Sequence, residues 1–308
     1  MNQAAHSLRP EQNRLLGILL RIGATTAFGF MAAAIKLGYE AGVGTVELIF
    51  YRFAFGLPPL LLWIAWSRTP AAWRTTRPLA HVTRGAIGLT SMTLAFSALD
   101  YLPLAEATTI GFAAPLFAVM LSALVLKEPV GRHRWSAVAI GLIGVLIVMR
   151  PAGQHLPLLG LMIAVGAAVG VACVTITIRQ IGRTEGTETI VLWFTTLSLA
   201  AVGLLMPFNA AAHDAHSWLI LAAIGTFGGT AQLLLTASLR YAPVAVIAPF
   251  DYIQLLWAVL FGWLIWSVHP VATTWAGAAV IIASGLYTLY REHKLGLIRR
   301  RQAALEAI

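Results

Sequence analysis

The chain has 308 residues, of which 59% are apolar and 11% are charged, and its mean hydropathy is +0.80. A soluble protein of this length could not cover its surface with so few charges, which argues against a soluble enzyme or binding module. The formal net charge is +9, but the basic residues follow the connections between apolar segments. The charge therefore orients the protein in a membrane, and no nucleic-acid partner is expected.

Ten apolar segments follow one another along the chain, most of them long enough to cross a hydrocarbon core of roughly 30 Å. We predict spans at approximately 15–36, 45–67, 82–100, 104–126, 135–150, 157–179, 189–208, 217–239, 243–265 and 273–290. The connections are short and leave no room for a soluble domain. The sequence therefore predicts an all-α polytopic membrane protein with ten transmembrane helices.

The distribution of the 21 Lys and Arg residues indicates the orientation of the chain. All of them fall on the side of the N-terminus except Arg21, Lys36, Arg52 and Arg150. By the positive-inside rule, both termini are expected in the cytoplasm. Residues 1–14 are polar, so we expect no cleavable signal peptide. The abundance of Ala, Gly and Arg favours a bacterial source, and the inner membrane is the expected location.

Residues 98–145 are echoed by residues 238–285. Leu99-Asp100-Tyr101-Leu102-Pro103-Leu104-Ala105 matches Leu239-Arg240-Tyr241-Ala242-Pro243-Val244-Ala245, and Trp135 matches Trp275. An odd number of spans separates the copies, so they lie in opposite orientations, as in carriers that work by alternating access. We predict two inverted five-helix repeats, 15–150 and 157–290, between an N-terminal tail (1–14) and a basic C-terminal tail (291–308).

Several motifs carry a family resemblance. In the first copy they are Ala98-Leu99 through Pro103, then Pro115, Lys127-Glu128-Pro129 and Gly141-x-x-Gly144; in the second they are Ala248-Pro249-Phe250-Asp251-Tyr252 and Leu255-Leu256-Trp257-Ala258. The chain resembles the EamA repeat of the drug/metabolite transporter superfamily over about 15–290, and is most similar to bacterial amino-acid exporters, including the aromatic type. The resemblance implies a central cavity lined by the third, fourth, eighth and ninth helices. Ser267-Val268-His269-Pro270 replaces the family's usual Gly-Glu-x-x-Pro-like turn, so no acid there is assigned a role.

Asp251 is the sharpest single candidate for substrate binding, because it lies about eight residues, or roughly 12 Å, into the ninth span. A charge at that depth needs water or a partner. Asp251 either recognises a substrate amine or couples protons, or else it forms a structural ion pair. Arg52 could hold a substrate carboxylate in a bidentate manner, or could pair with Glu47 or with another acid. Arg21 is expected to reach the membrane interface.

Polar and aromatic residues within the spans form a second group of substrate-binding candidates. These are Tyr101, Gln232, Trp257, Tyr252, Thr26 and Thr90. A cavity for a small zwitterion needs a few placed donors and acceptors among apolar walls. Tyr101 and Tyr241 occupy equivalent positions at opposite faces, where they either act as gates or belong to the interfacial aromatic belt. His81 is expected to be a solvated interfacial histidine.

We predict a carrier that exports small metabolites, with amino acids, aromatic or apolar ones included, as the expected substrates. A carrier of the same fold for a nucleobase, vitamin or cation is the nearest alternative; a channel or a membrane enzyme is a more distant one. For an enzyme the densest group is His213-Asp214-x-His216, which we interpret as a solvated loop. We expect no metal and no cofactor. The partners are a small-molecule substrate and the lipid bilayer, and both a monomer and a homodimer remain open.

Overall fold

The computed structural model describes residues 14–66, 73–124, 131–149, 156–182, 184–242 and 244–305. Their main elements are helices: α1 (Arg14–Glu40), α2 (Thr45–Ala54), α3 (Leu57–Trp66), α4 (Pro78–Tyr101), α5 (Leu104–Gly111), α6 (Ala114–Leu124), α7 (Arg132–Met149), α8 (Leu158–Ile181), α9 (Thr187–Gly203), α10 (Ala215–Tyr241), α11 (Val244–Ile247), α12 (Ile253–Trp266) and α13 (Ala272–Leu305). The Lys127-Glu128-Pro129 motif lies outside the described residues. We call the membrane face at which α1 begins the near face, and the other the far face.

Within the described ranges, seven helical stretches are long and apolar enough to cross a membrane, and two shorter apolar helices lie at 135–149 and 272–287. With α4, which is less apolar because it contains His81 and Arg84, these account for the ten predicted spans. The chain is therefore an all-helical polytopic membrane protein. Its first and last described helices both have their terminal ends at the near face.

Proline breaks two of the spans. Pro58 has no backbone N–H to donate to the carbonyl four residues earlier, at Ala54, and α2 ends at that residue. Pro115 stands in the same relation to Gly111, where α5 ends. The second and fourth spans are consequently each two helices, α2–α3 and α5–α6. The ninth span is also broken, by a 3₁₀ segment (Ala248–Tyr252) between α11 and α12.

The helices pack with the two-fold pattern that inverted repeats require. Helix α1 packs against α10 and α12, and its counterpart α8 packs against α4 and α6. Helix α7 crosses its own counterpart α13, and α2 likewise contacts α9. Because α1–α7 form five spans and α8–α13 form the next five, the second set runs opposite to the first. This confirms the two inverted five-helix repeats.

The register of these contacts repeats as well. A Cβ added to Gly17 of α1 would lie 2.5 Å from the Cβ of Ala242 at the end of α10. A Cβ added to Gly160, the equivalent glycine of α8, would lie 2.6 Å from the Cβ of Tyr101 and 3.2 Å from the side chain of Leu102. Glycine at both positions lets paired helix ends approach closely.

Small residues bring α7 and α13 together at the centre of the two-fold pattern. A Cβ on Gly144 would lie 3.0 Å from the carbonyl oxygen of Gly277, and a Cβ on Gly277 would lie 2.7 Å from that of Gly144. The spacing of small residues in the fifth and tenth spans thus serves packing within the chain.

A large hydrophobic cluster closes the far half of the bundle. Its fully buried side chains include Ile35 of α1, Leu48 and Phe53 of α2, and Leu221 and Ile224 of α10. Leu99 and Leu104, on either side of the turn between α4 and α5, pack into the same cluster. The far side of the structure is therefore closed by interdigitated side chains from both repeats.

Candidate functional site

Asp251 forms a bidentate ion pair with Arg21. The Nε and Nη2 atoms of Arg21 donate to Oδ1 and Oδ2 of Asp251, each at 2.5 Å. The pair joins α1 of the first repeat to the 3₁₀ segment of the second, in the near half of the bundle. The prediction that Arg21 reaches the interface is wrong, because the carboxylate holds its side chain, which is only 12% exposed. Asp251 lies in the break of the ninth span and not within a regular helix.

The ion pair between Arg52 and Glu47 that the sequence suggested is not formed, because Glu47 has other partners. Glu47 is buried, and its Oε1 accepts a hydrogen bond from the backbone N–H of Ala211 at 3.0 Å and lies 2.8 Å from Nε2 of His213. We call this contact the far-face latch; it fastens the start of α2 to the loop before α10. Asp214 caps α10 by accepting from the N–H of Ser217. In the part of the chain described, no group of three His, Cys, Asp or Glu is arranged to hold a metal.

A matching contact lies at the near face. Oε1 of Glu185, in the loop between α8 and α9, accepts hydrogen bonds from the side chain of Thr75 at 2.9 Å and from the backbone and side chain of Thr76 at 3.1 Å. We call this the near-face latch. His81 lies 4.0 Å from the other oxygen of Glu185 and stacks on Trp193. It is 1% exposed, so the expectation of a solvated histidine is wrong.

The near-face latch depends on ionised Glu185. Burial acts to raise the pKa of this carboxyl, but the hydrogen bonds from Thr75 and Thr76 and the neighbouring His81 together hold the pKa below its usual value. A carboxyl with a lowered pKa in the folded state stabilises the fold at neutral pH. That contribution is lost as the pH falls through the lowered pKa.

Glu185→Gln is therefore expected to lower the melting temperature at about pH 7, and this difference from wild type should shrink as the pH falls from there through the lowered pKa of Glu185. Thermal unfolding of both proteins across this range measures the difference. Asp100→Asn removes an exposed carboxylate and serves as the control. A constant difference between wild type and Glu185→Gln at every pH would contradict this role of the charge.

The most unusual group in the described structure is a pair of buried arginines, Arg52 of α2 and Arg84 of α4. They are 3% and 5% exposed. The Cζ of Arg52 lies 4.6 Å from the ring centre of Phe53, and the Cζ of Arg84 lies 4.2 Å from that of Phe194. The two rings meet edge to face at 5.3 Å. We call these four residues the arginine–phenylalanine cluster.

A pocket with about 240 Å³ of empty space adjoins this cluster. Its polar lining comes from Arg52, Thr195 of α9 and Gln232 of α10. The structure thus brings together Arg52 and Gln232, which the sequence identified separately. The figure of 240 Å³ includes space open to the surroundings; the volume that a water-sized sphere can occupy is only about 10 Å³, room for about one water molecule and far below the roughly 300–1,000 Å³ typical of ligand sites. A second pocket of about 270 Å³ lies at the far end, between Lys36, Ala258 and other residues. Neither pocket has room for a metabolite, so the bundle is closed in this structure.

Thr26 and Trp257, also identified from the sequence, are hydrogen-bonded to each other. The indole Nε1 of Trp257 donates to Oγ1 of Thr26 at 3.0 Å. Phe30 places its ring 5.5 Å from Trp257, 5.1 Å from Phe227 and 4.8 Å from Phe261. We call Phe30, Phe227, Trp257 and Phe261 the aromatic cluster. It lies where α1, α10 and α12 meet.

The remaining candidates lie apart from both pockets. Tyr252 follows Asp251 and packs its ring edge to face on Phe112 at 5.1 Å. Thr90 is on the exposed face of α4, so the structure does not place it in a closed site. Tyr101 is 43% exposed, Tyr241 is partly exposed, and neither lines either pocket. Their role as gates stays a prediction.

Sequence reasoning missed three charged residues. It counted Arg84 among the charges on the near-face side, although Arg84 lies within the third span predicted at 82–100. It gave no role to Glu185, which is part of the near-face latch, or to Glu106 of α5. Glu106 is 1% exposed and accepts a hydrogen bond from Thr274 of α13 at 3.0 Å. One signal for Arg84 was present: Gly88, one helical turn later, leaves room beside a long side chain.

Two inverted five-helix repeats, joined across both faces around a small pocket, are an architecture of membrane transporters. The chain belongs to the EamA-like transporter family, which matches residues 15–150 and 158–290. The two matched segments are the two structural repeats.

Several relatives of the chain are named as transporters of metabolites. The chain is 27% identical over 269 residues to the pseudopaline exporter of Pseudomonas aeruginosa strain UCBPP-PA14, covering 87% of this chain and 94% of that protein. It is 27% identical over 300 residues to the riboflavin transporter of Rhizobium johnstonii, covering 95% and 96%. It is 26% identical over 251 residues to the S-adenosylmethionine uptake transporter of Rickettsia prowazekii, covering 80% and 84%. A solved crystal structure with 20% identity aligns with a TM-score of 0.62 over 91% of this chain and 98% of its own, which shows the shared fold.

Proposed function

We propose that this protein exports amino acids across the bacterial inner membrane by alternating access, with both termini in the cytoplasm. In this proposal the near face is cytoplasmic. The two repeats rock about the pocket beside Arg52 and Gln232, and open it to one side at a time.

The observation that carries the proposal is the position of this pocket between two closures built from both repeats. On the far side lie the hydrophobic cluster and the far-face latch of Glu47. On the near side lie the Arg21–Asp251 pair and the near-face latch of Glu185. Each closure consists of a few polar contacts or a packed layer that can separate as a unit. A carrier needs such a pair of closures, of which one opens while the other holds.

An amino acid fits the chemistry of the pocket. A carboxylate is the group that a guanidinium such as Arg52 binds best, through two parallel N–H···O bonds. The hydroxyl of Thr195 and the amide of Gln232 offer further donors and acceptors, and Phe53, Leu60 and Leu233 supply apolar walls for a side chain. Outward movement is supported by the resemblance to amino-acid exporters and by the relative named as a pseudopaline exporter.

A second candidate substrate is a planar heteroaromatic vitamin. The aromatic cluster presents four rings at the junction of α1, α10 and α12, and Phe30 is 37% exposed. Flat ring systems stack on such side chains. The relative from Rhizobium johnstonii is named as a riboflavin transporter, which favours a flavin as the probe for this alternative.

Reconstituted vesicles distinguish the two candidates. We expect vesicles loaded with an unlabelled amino acid to accumulate the labelled form by counterflow, saturably, and to accumulate labelled riboflavin no faster than protein-free vesicles do. If riboflavin shows counterflow and the amino acid does not, the amino-acid proposal is wrong and the vitamin is the substrate class. Efflux that never saturates would indicate a channel and would contradict both.

A further inference from the structure

We propose that Arg52 and Arg84 together form an oxyanion-binding site that holds the carboxylate of the transported substrate. This inference rests on the proposed function, since it assumes a carrier with an anionic group on its substrate. The site lies between α2, α4, α9 and α10, at the arginine–phenylalanine cluster.

The two guanidinium groups are buried without an acid. The Nε of Arg52 and the Nε and Nη1 of Arg84 have no hydrogen-bond partner, and neither arginine forms an ion pair with a described residue. Elsewhere in the described bundle Arg21 has Asp251, and the carboxylates of Glu47 and Glu185 have their own donors. Charged side chains inside a membrane normally pair with one another or line a substrate path.

Like charge makes the arrangement costlier still. Two like charges lie in one part of the bundle, because the ring beside Arg52 and the ring beside Arg84 meet edge to face at 5.3 Å. The rings of Phe53 and Phe194 each contact one guanidinium face, which lessens the cost but satisfies no N–H group. The N–H groups at the edges of both guanidinium groups therefore still lack an acceptor. An oxyanion placed between them accepts several hydrogen bonds and cancels the repulsion at once.

Glycines at equivalent positions of the two repeats make room for both side chains. A Cβ on Gly88 of α4 would lie 2.0 Å from Nη1 of Arg84. A Cβ on Gly228 of α10, which is 140 residues later and in the same repeat register, would lie 3.3 Å from Cγ and Nε of Arg52. Both glycines are near the middle of their helices. The same position of the duplicated helix thus borders Arg84 in the first repeat and, in the second, borders Arg52.

The chemical class of the ligand follows from this geometry. Two planar forks, each with N–H donors and each backed by an aromatic ring, suit a planar carboxylate better than a spherical ion. The pocket that Arg52 lines, with Thr195 and Gln232, takes the rest of the molecule. Inorganic phosphate shares the oxyanion chemistry and is the alternative source of the same contacts.

Thermal unfolding of the full-length protein in detergent tests the site. The probes are L-phenylalanine and L-alanine, their uncharged carboxamides, and inorganic phosphate, all at one chloride concentration. We expect one or both amino acids to raise the melting temperature saturably and each carboxamide to bind at least tenfold more weakly. Arg52→Gln and Arg84→Gln should each weaken the carboxylate effect at least tenfold. Arg74→Gln, at the exposed near face, should leave it unchanged.

Two further measurements separate binding from a structural role. Without ligand, each buried Arg→Gln variant should be at least as heat-stable as wild type, because the change removes an unpaired buried charge. A lower melting temperature would assign the arginine to packing and overturn the site. Gly228→Ala retains both charges but crowds Arg52, since the added Cβ would lie 2.9 Å from Sδ of Met31 and 3.3 Å from Cγ and Nε of Arg52. It should weaken carboxylate binding several-fold and keep the protein folded.

The failures of the two proposals are distinguishable. If amino acids are transported and stabilise Arg52→Gln and Arg84→Gln as well as wild type, the oxyanion site is wrong and the carrier function stands. If phosphate alone stabilises the protein, and only when both arginines are present, the arginines bind an oxyanion but hold no substrate carboxylate, and the amino-acid function falls with that assignment. If no probe stabilises any form of the protein, the site is wrong for this class of ligand.

Discussion

Asp251→Asn is expected to lower the initial rate of substrate counterflow at least tenfold. The change breaks a bidentate ion pair between the two repeats and leaves Arg21, 12% exposed at its side chain, without its carboxylate. A hydrogen bond to a charged group contributes about 2 kcal/mol, so losing this pair shifts the balance between near-closed and near-open forms by a factor of about 30. The carrier would then remain open at the near face.

The charge swap Arg21→Asp with Asp251→Arg is the matched control. It restores opposite charges at the same two positions, so it should recover part of the rate that Asp251→Asn loses. Full activity and an unchanged pH dependence in Asp251→Asn would show that this pair neither closes the near face nor contacts the substrate.

Gly277→Ala is expected to cause the largest loss of stability of any single-methyl change considered. The added Cβ would lie 2.4 Å from Cγ2 of Val148 and 2.7 Å from the carbonyl oxygen of Gly144, which is backbone and cannot rotate away. Overpacking of this kind costs about 3 kcal/mol, and it would separate α7 from α13. Thermal unfolding and the yield of monodisperse protein after size-exclusion chromatography measure the effect.

Gly111→Ala provides the comparison, because a Cβ at Gly111 meets no atom within 4 Å. The same chemical change there should be neutral or slightly stabilising, since alanine restricts the unfolded chain more than glycine does. Equal losses from the two substitutions would mean that the α7–α13 crossing is not the tight contact described above.

The architecture could be predicted from the sequence because bilayer thickness fixes span length and duplication fixes the relation of the halves. The odd number of spans between the copies predicted opposite orientations, and the equivalent contacts of Gly17 and Gly160 at opposite faces agree with it. The helix breaks were less evident. Pro58 and Pro115 were visible in the sequence, but a hydropathy pattern averages over a broken span and reports it as continuous.

The sequence identified individual residues of the candidate site, but it did not identify the partner of each residue. Asp251 and Arg52 were identified because charge is costly in a membrane. Their surroundings depend on contacts between helices far apart in the chain: Arg21 is 230 residues from Asp251. Arg84 was assigned to the wrong environment, since a residue six positions from a helix start can face either the interface or the bundle interior. The contact with Phe194, which the sequence does not show, places Arg84 in the bundle interior.

Cysteine labelling at the two latches tests alternating access most directly. Cys173 is the single native cysteine, so Cys173→Ala gives a background in which Thr76→Cys reports on the near-face latch and Ala211→Cys on the far-face latch. We predict that a transported substrate changes labelling by membrane-impermeant maleimides in opposite directions at these positions, one rising several-fold as the other falls. Two results would contradict alternating access between the two repeats. One is labelling that changes in the same direction at both positions, and the other is labelling that does not change when substrate is added.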